Sequence, residues 1–431
     1  MDWPSRETET TEDKQRMKRI NNIWENIIDE NRAYESLVEG TRHKRGKRQV
    51  RKLLYSSEEV QKDRNKWHLI DPDKGRIFAS NIAISLKSGT WKHDNPRYKR
   101  TYCPNRTTGK GKWRNLYIPT LKDHIVHHMV MSASMEAFTK GMHPHCCGSV
   151  PGRGIKHILV NVGRWMQKDS QCRYFVKLDI IKFFDSIEAD VLKQIIREKI
   201  KDKKAIKIHD AIIDSAPVAC PVGYYTSPWY SNLYLQDFDW FVEQELYKTR
   251  RGKRIKYVRH YLRYADDILL IGTSKSDLKK AVKMIISYLS KNYNLKVKST
   301  WEIKKIGKHE NVDGVWRLKP DTYWCDIGGY KFCKDSTILR DGVYLSTKRL
   351  AKKISKKGYF TTHQAKAINA KVAWAEKCDS KHFIETEVLP YVNIKDTRRV
   401  ISDVDKINEW RINCSETKRN HRESCDSQEK H

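Results

Sequence analysis

The ten cysteines of this sequence contain no Cys-x-x-Cys pair. That excludes the common zinc-ribbon and dithiol redox motifs, and the scatter fits reduced thiols in a cytosol better than a disulfide framework. Long hydrophobic runs are missing too: the best stretches, such as Ile268 to Gly272, are strand-sized, far short of a bilayer span. The opening Met1-Asp-Trp-Pro-Ser-Arg-Glu-Thr-Glu-Thr-Thr-Glu-Asp-Lys has no apolar h-region, so no secretory signal is expected there. A cytoplasmic location without a membrane partner is the expectation. Neither an internal repeat nor a long Gly/Ser or Pro linker interrupts the chain. Acid is the other shortage, with 53 Asp+Glu against 85 Lys+Arg, a net charge of +32 and a pI near 9.6.

What is present narrows the class. A length of 431 residues allows two or three compact units, each with a core. Apolar content is only 39%, yet 13 Trp, 21 Tyr and 10 Phe argue against wholesale disorder. The cations cluster, as in Arg42-His-Lys44-Arg45-Gly-Lys47-Arg48-Gln-Val-Arg51-Lys52, which points to a polyanionic partner, nucleic acid above all. His143-Pro-His145-Cys146-Cys147 is too crowded for a tetrahedral metal site and reads as buried thiols beside a turn.

Periodicity gives a coarse map. Ile20, Ile23, Trp24, Ile27 and Ile28 have helical spacing. Asn105 to Gly111 reads as a basic turn between strands, and Lys112 to Ile118 as a strand stopped by Pro119. Thr120 opens a helix with Asp123 as capping-box partner. A second helix follows Ser186. A third begins at Ser227-Pro228, with serine as N-cap, and runs through Trp229, Leu233, Phe241 and Leu246. Strand-like pieces at 174–178, 257–264 and 268–271 alternate with these in no strict βαβ rhythm, so the fold class expected is α+β.

Two segments carry chemistry. In Tyr174-Phe-Val-Lys-Leu-Asp179 and in Tyr261-Leu-Arg-Tyr264-Ala-Asp266-Asp267-Ile-Leu-Leu-Ile, a short apolar strand adjoins carboxylate. Adjacent anions beside apolar strands need cations or must shift their pKa. Magnesium meets that need, because it prefers oxygen ligands and keeps sites open for water and phosphate. Two such ions about 3.5–4 Å apart serve both the attacking and the leaving oxygen of an in-line displacement. A plain surface hairpin with Asp-Asp at its turn is the alternative for the second segment alone.

The two segments resemble motifs of reverse transcriptases. Tyr264-Ala-Asp266-Asp267 is similar to their YxDD box, and Leu178 to Ile187 to the upstream acidic motif. Between them, Gly223-Tyr-Tyr-Thr-Ser227-Pro228-Trp-Tyr-Ser-Asn232 resembles the G-x-x-x-S-[PQ]-x-x-x-N segment. Arg114 to Pro119 and Gly148 to Gly154 resemble two finger motifs of prokaryotic retroelement enzymes. Leu295 to Trp301 and Gly328 to Arg340 resemble the last two palm motifs. The ordered matches cover about residues 105–345, and the tail resembles the thumb of diversity-generating and defence-associated reverse transcriptases.

That resemblance implies a right-hand polymerase making DNA on an RNA template. It divides the chain into a basic helical extension (1–52), fingers (53–172), a palm with an antiparallel sheet plus helices (173–340, with an insertion around 186–222), a helical thumb (341–411) and a loose polar tail (412–431). Asp179, Asp266 and Asp267 are the implied catalytic residues, and with the Ile180 carbonyl they are the implied ligands of two Mg²⁺, with Mn²⁺ as an alternative. Phe184 corresponds to the aromatic gate against a ribose 2′-hydroxyl. Arg114, Lys110 and Lys112 correspond to the finger strand that grips the dNTP triphosphate, and Lys298 to a lysine that protonates pyrophosphate. Gly223, Ser227, Pro228, Tyr264 and Arg153 are the implied template and primer contacts. Implied partners are a cognate structured noncoding RNA, dNTPs, the DNA product and an accessory protein. Antiphage defence is the expected role, with hypermutation of a target gene as the alternative. An RNA-binding scaffold that no longer extends primers is the reading from another class. The sequence departs from the pattern at Lys122-Asp123-His124, where Asp-Arg is usual, and at Tyr-Tyr-Thr before Ser227. No RNase H, protease or endonuclease motif is recognisable after residue 345.

Overall fold

The computed structural model describes residues 19–42, 44, 47–55, 71–104, 111–313 and 315–403. The expected polar tail at 412–431 and residues 1–18, 43, 45 and 46 of the amino-terminal extension lie outside these residues. The first helical stretch is two helices, α1 (Ile23–Ile28) and α2 (Glu30–Thr41). Asp29 separates them because its carboxylate caps α2, accepting from the Arg32 amide at 2.8 Å. α3 (Arg48–Leu54) and α4 (Pro72–Lys87) follow, the latter begun by an Asp71 cap and a first-turn proline. β1 (Arg97–Pro104) and β2 (Gly111–Ile118) make an antiparallel hairpin paired from Arg97↔Ile118 to Pro104↔Gly111. The basic stretch 105–110, including Lys110, lies outside the described residues.

Thr120 caps α5 (Leu121–Thr139), accepting from the Asp123 amide at 3.3 Å. The Asp123 carboxylate does not take the Thr120 amide that would close the expected box; it accepts from the Thr120 hydroxyl at 2.6 Å, Trp91 Nε1 at 3.2 Å and the Asp94 amide at 3.1 Å. α6 (Ile155–Lys168), β3 (Tyr174–Asp179), a 3₁₀ turn at Phe183–Ser186, α7 (Ala189–Lys199) and α8 (Lys203–Asp214) come next. The helix expected from Ser227 onward is broken at Leu235 into α9 (Ser227–Tyr234) and α10 (Gln236–Gln244). Its N-cap is Thr226 rather than Ser227, whose hydroxyl donates instead to the Pro221 carbonyl at 2.8 Å. β4 (Tyr247–Arg250) and β5 (Lys253–Lys256) form a short hairpin before β6 (His260–Tyr264), β7 (Asp267–Gly272) and α11 (Lys275–Tyr293).

After β8 (Ile303–Lys305) come the hairpin β9 (His309–Val312)–β10 (Val315–Leu318) and a small sheet of β11 (Cys325–Ile327), β12 (Tyr330–Phe332) and β13 (Thr337–Leu339). The chain then runs through α12 (Asp341–Lys357), α13 (Thr362–Ala375) and α14 (Lys381–Glu387). Thr361 and Gln364 complete a capping box at α13.

The architecture is thus mixed, helices around small antiparallel sheets, as the α+β expectation has it. At its centre lies a four-stranded antiparallel sheet in the order β6-β7-β3-β8. Both faces are covered. Val176, Leu178, Tyr261, Ile268 and Leu270 enter a core shared with α1, α2, α5 and α7 to α11. Phe175, Leu262, Leu269 and Ile271, the alternate residues, enter a second core with α6, β11 to β13 and the last three helices. A strand buried on both faces must be apolar at every position, which is why β7 reads Ile-Leu-Leu-Ile without alternation. Each of those four side chains is 0% exposed and stabilises the fold by about 1.5–3 kcal/mol at most. Among the described residues no helix is long and apolar enough to cross a membrane.

Candidate active site

The register of the central sheet sets the site. Antiparallel pairing puts Asp179, the last residue of β3, directly opposite Asp267, the first of β7. Tyr264 pairs with Asp267 across the β6–β7 hairpin, leaving Ala265 and Asp266 as its two-residue tip. Ala265 holds φ +54°, a left-handed conformation that costs an alanine about 1 kcal/mol. The three aspartates are therefore neighbours in space, half-buried at one end of the sheet.

A network under the tip fixes it there. Arg263, fully buried, forks onto Asp239 of α10 with Nε to Oδ1 and Nη2 to Oδ2 both at 2.7 Å. Tyr261 donates to the same carboxylate at 2.5 Å. Arg263 Nη1 donates to the Ala265 carbonyl at 3.2 Å and to Asn232 Oδ1 at 3.3 Å, so the guanidinium grips the hairpin tip itself. Residues 145–147 run beside β6: the Arg263 amide donates to the His145 carbonyl and the Cys147 amide to the Arg263 carbonyl. Gly148 then meets the tip so closely that a Cβ there would lie 2.8 Å from the Ala265 nitrogen. Asn232 Nδ2 donates to the Gly148 carbonyl, closing the ring. Cys146 and Cys147 are buried thiols beside this turn, as the sequence suggests, and burial holds the Cys146 thiol up at about 11.

Electrostatics at the tip call for a cation. The Asp266 carboxyl is raised above its ordinary value, first by burial and then by the charges of Asp267 and Asp179. One cation is already at hand. Lys298 extends an ammonium to Asp179 Oδ1 at 2.7 Å, while its own amide donates to the Asp179 carbonyl at 2.9 Å. The all-oxygen donor set with a charge deficit fits a hard divalent ion. Two groups of three metal-type side chains whose ligand atoms fall within 4.8 Å of one another occur among the described residues, and neither contains these aspartates.

The remaining predicted residues distribute around this point. Ile180 is buried and bridges to Val297. Phe184, half-buried, packs in the 3₁₀ turn with its ring 5.5 Å from that of Phe183, which takes the core position. Lys112 and Arg114 share one face of β2, and cross-strand pairing (Thr101↔Arg114, Lys99↔Leu116, Arg97↔Ile118) brings Lys99 and Arg97 to the same face. The opposite face carries Tyr98, Tyr102 and Trp113, all exposed. Gly223 holds φ +119°, and a Cβ there would collide with the Tyr117 carbonyl at 2.4 Å, so only glycine lets this segment lie against β2. Ser227 is buried. Pro228 lines a groove of about 490 Å³ with Ser149, Val150, Pro151, Tyr224, Tyr225 and Trp229, one edge of which continues from Gly148. Arg153 turns inward, donating to the His143 and Cys146 carbonyls at 2.6 and 2.9 Å, and Tyr264 packs against the second core. Arg263, Asp239 and Tyr261 escape sequence reasoning. Their one signal is an arginine at an inward position of an apolar strand, which requires a buried acid somewhere.

A hairpin presenting two aspartates opposite a third, with a cationic strand nearby, is an arrangement that metal-assisted phosphoryl chemistry can use. Residues 99–300 match the family model described as "Reverse transcriptase (RNA-dependent DNA polymerase)". Over 206 residues the chain is 26% identical to Protein YkfC of Escherichia coli K12, covering 40% of this chain and 53% of that one. It is 27% identical to the retron Ec73 reverse transcriptase of Escherichia coli (41% and 54%), and 26% identical to the group II intron-encoded protein LtrA of Lactococcus lactis (50% and 37%). A solved structure of apo telomerase from Candida tropicalis, truncated from its C-terminal domain, overlaps at 12% identity and a TM-score of 0.39, covering 62% of this chain and 65% of that one. Across residues 99–300 the chain is related to reverse transcriptases of the prokaryotic retroelement type, the retron enzyme and the intron-encoded protein among them. It spans roughly half, or less, of the length of these curated relatives.

Proposed function

We propose that the protein is an RNA-directed DNA polymerase that extends a primer with dNTPs on an RNA template. One observation supports this reading: the register sets Asp179 opposite Asp267, with Asp266 on the adjoining hairpin tip, at one end of the central sheet. Asp179, Asp266 and Asp267 would hold Mg²⁺, with the Ile180 carbonyl as a further oxygen. When bound, such ions lower the pKa of the attacking hydroxyl and stabilise charge on the leaving phosphate.

The chain's own residues supply the rest. The cationic face of β1–β2, with Arg97, Lys99, Lys112 and Arg114, is suited to gripping a triphosphate. The Lys298 ammonium, 2.7 Å from Asp179, would be placed beside the metal-binding carboxylates to donate a proton to pyrophosphate. Phe184 would bar a ribose 2′-hydroxyl by its bulk. The groove edged by Tyr224, Tyr225 and Trp229 offers aromatic surface for a base or sugar. On this reading residues 53–172 act as fingers, 173–340 as palm and 341–411 as thumb. α12, with Lys348, Arg349, Lys352, Lys353 and Lys356, would then lie along the phosphate backbone of the duplex.

The test is Asp266→Ala combined with Asp267→Ala, assayed for Mg²⁺-dependent dNTP incorporation on a primed RNA template and for RNA binding by filter retention. Incorporation is expected to vanish while RNA binding persists. Incorporation by the double variant at the wild-type rate would overturn the metal site.

A further inference from the structure

A second constellation lies away from the aspartates, where β9 begins beside the turn between β12 and β13. His309 Nδ1 is 2.8 Å from Asp335 Oδ1, Cys333 Sγ is 3.0 Å from the same oxygen, and Cys333 Sγ lies 3.9 Å from His309 Nδ1. We propose that His309, Cys333 and Asp335 form a binding site for a zinc-class divalent cation, distinct from the Mg²⁺ site.

The geometry is close to what such an ion requires. Zinc bonds of roughly 2.0–2.3 Å at tetrahedral angles separate ligand atoms by roughly 3.3–3.8 Å. The three observed separations bracket that range, so each side chain needs to move by less than about 1 Å. The backbone around them is pinned. The Cys333 amide donates to the Ser336 carbonyl at 2.9 Å, the Lys334 amide to the Gly307 carbonyl at 2.8 Å, and the His309 amide to Asp335 Oδ2 at 2.8 Å. Trp324 stands edge-on to the imidazole at 5.3 Å and limits its rotation. These supports are the outer layer that orients ligands in metal sites. The sulfur is fully buried, while the His309 and Asp335 side chains are 23% and 34% exposed, so a fourth position opens to solvent for water.

Charge favours the same conclusion. Among the described residues, Asp335 has no lysine or arginine partner; only His309 pairs with it. The other mixed cluster, Asp169, Cys172 and His260, differs on this point. There Arg259 Nε donates to Asp169 Oδ2 at 2.9 Å and already fills the cation's place. Thiolate and imidazole ligands also discriminate against magnesium, which takes oxygen. On binding, the Cys333 thiol proton passes to solvent, and the neutral imidazole moves its proton from Nδ1 to Nε2 to free the ligating nitrogen. One proton is released per ion. The ion would clip the base of the β9–β10 hairpin, whose Trp316 is 69% exposed, to the β12–β13 turn.

The experiment uses full-length protein stripped with a chelator and titrated with Co²⁺, reading the thiolate-to-cobalt charge-transfer band. Zn²⁺ is then added in competition, and Mg²⁺ in large excess. The expected result is one Co²⁺ per chain, displaced by Zn²⁺ and not by Mg²⁺. Asp335→Asn should weaken binding by about 10- to 100-fold. Cys333→Ser should lose the band, and Cys172→Ser should retain it. No band in the wild type, a band that survives Cys333→Ser, or one that disappears with Cys172→Ser would each overturn the proposal. If Cys333→Ser fails to fold by circular dichroism, the Asp335→Asn titration decides, and unchanged affinity there refutes the site. None of these readouts depends on polymerase activity.

Discussion

Replacing Arg263 with methionine isolates what holds the aspartate hairpin. The substitution removes both bonds to Asp239 and the bond to the Ala265 carbonyl, and leaves a carboxylate that is 0% exposed with only the Tyr261 hydroxyl to satisfy it. Stranding one member of a buried ion pair costs about 3–5 kcal/mol. Adding Asp239→Leu removes the stranded charge but leaves the buried Tyr261 hydroxyl without its acceptor, at about 1–3 kcal/mol, so the double variant is expected to recover part of the loss. Activity should not follow stability. The double variant still lacks the donor to the Ala265 carbonyl, so the tip bearing Asp266 loses an anchor, and dNTP incorporation should stay at least tenfold down. Urea unfolding followed by tryptophan fluorescence, alongside primer extension, separates the two effects. A single-variant loss under about 1 kcal/mol, or full activity in the double variant, would refute the reasoning.

Three further expectations follow from the same geometry. Gly148→Ala drives a Cβ against the Ala265 nitrogen, which as backbone cannot swing aside, so stability should drop by about 1–3 kcal/mol with faster hydrogen exchange at residues 264–267. Protection unchanged there would show that the close approach is dispensable. Phe184→Ala should narrow the preference for dNTPs over rNTPs with little loss of stability, because Phe183 holds the core position; unaltered discrimination would move the gate elsewhere. Acid should unfold the protein early. Burial first, then neighbouring charge, depresses His124 to about 4 and His128 to about 3, whereas the unfolded chain titrates near 6.5. With folded values lowered, the stabilisation is complete above about pH 6.5 and is lost as pH falls toward 4, by about 3 kcal/mol at pH 4 for His124 alone. Urea midpoints that stay flat between pH 7 and 4.5 would contradict this.

Legibility in the sequence followed how local each cause is. The strands carrying Asp179 and Asp267 announce themselves by apolar runs, and Thr120 by its capping chemistry, because each depends on a few adjacent residues. The true cap at Thr226 goes with Ser227 finding the Pro221 carbonyl, a contact that only the folded loop creates, and the break at Leu235 has no local sequence signal. Likewise Arg263 says that an acid must be buried against it, without saying that Asp239 is the one. Arg153 shows the converse: its type suggests phosphate, and the fold turns it onto two carbonyls. His309, Cys333 and Asp335 were invisible because their proximity arises from two hairpins meeting.

The opposition of Asp179 and Asp267 across neighbouring strands has a consequence for how the protein is made. A ribosome that has released β3 but not yet β7 has produced a chain with a solitary carboxylate at that end of the sheet, and a slip by a single residue would turn the partner side chain to the other layer. Chemical competence therefore arrives in one step, when the later strand docks in its correct alignment. On the proposed function, nascent or misaligned chains would carry the basic surface without the assembled carboxylates until then.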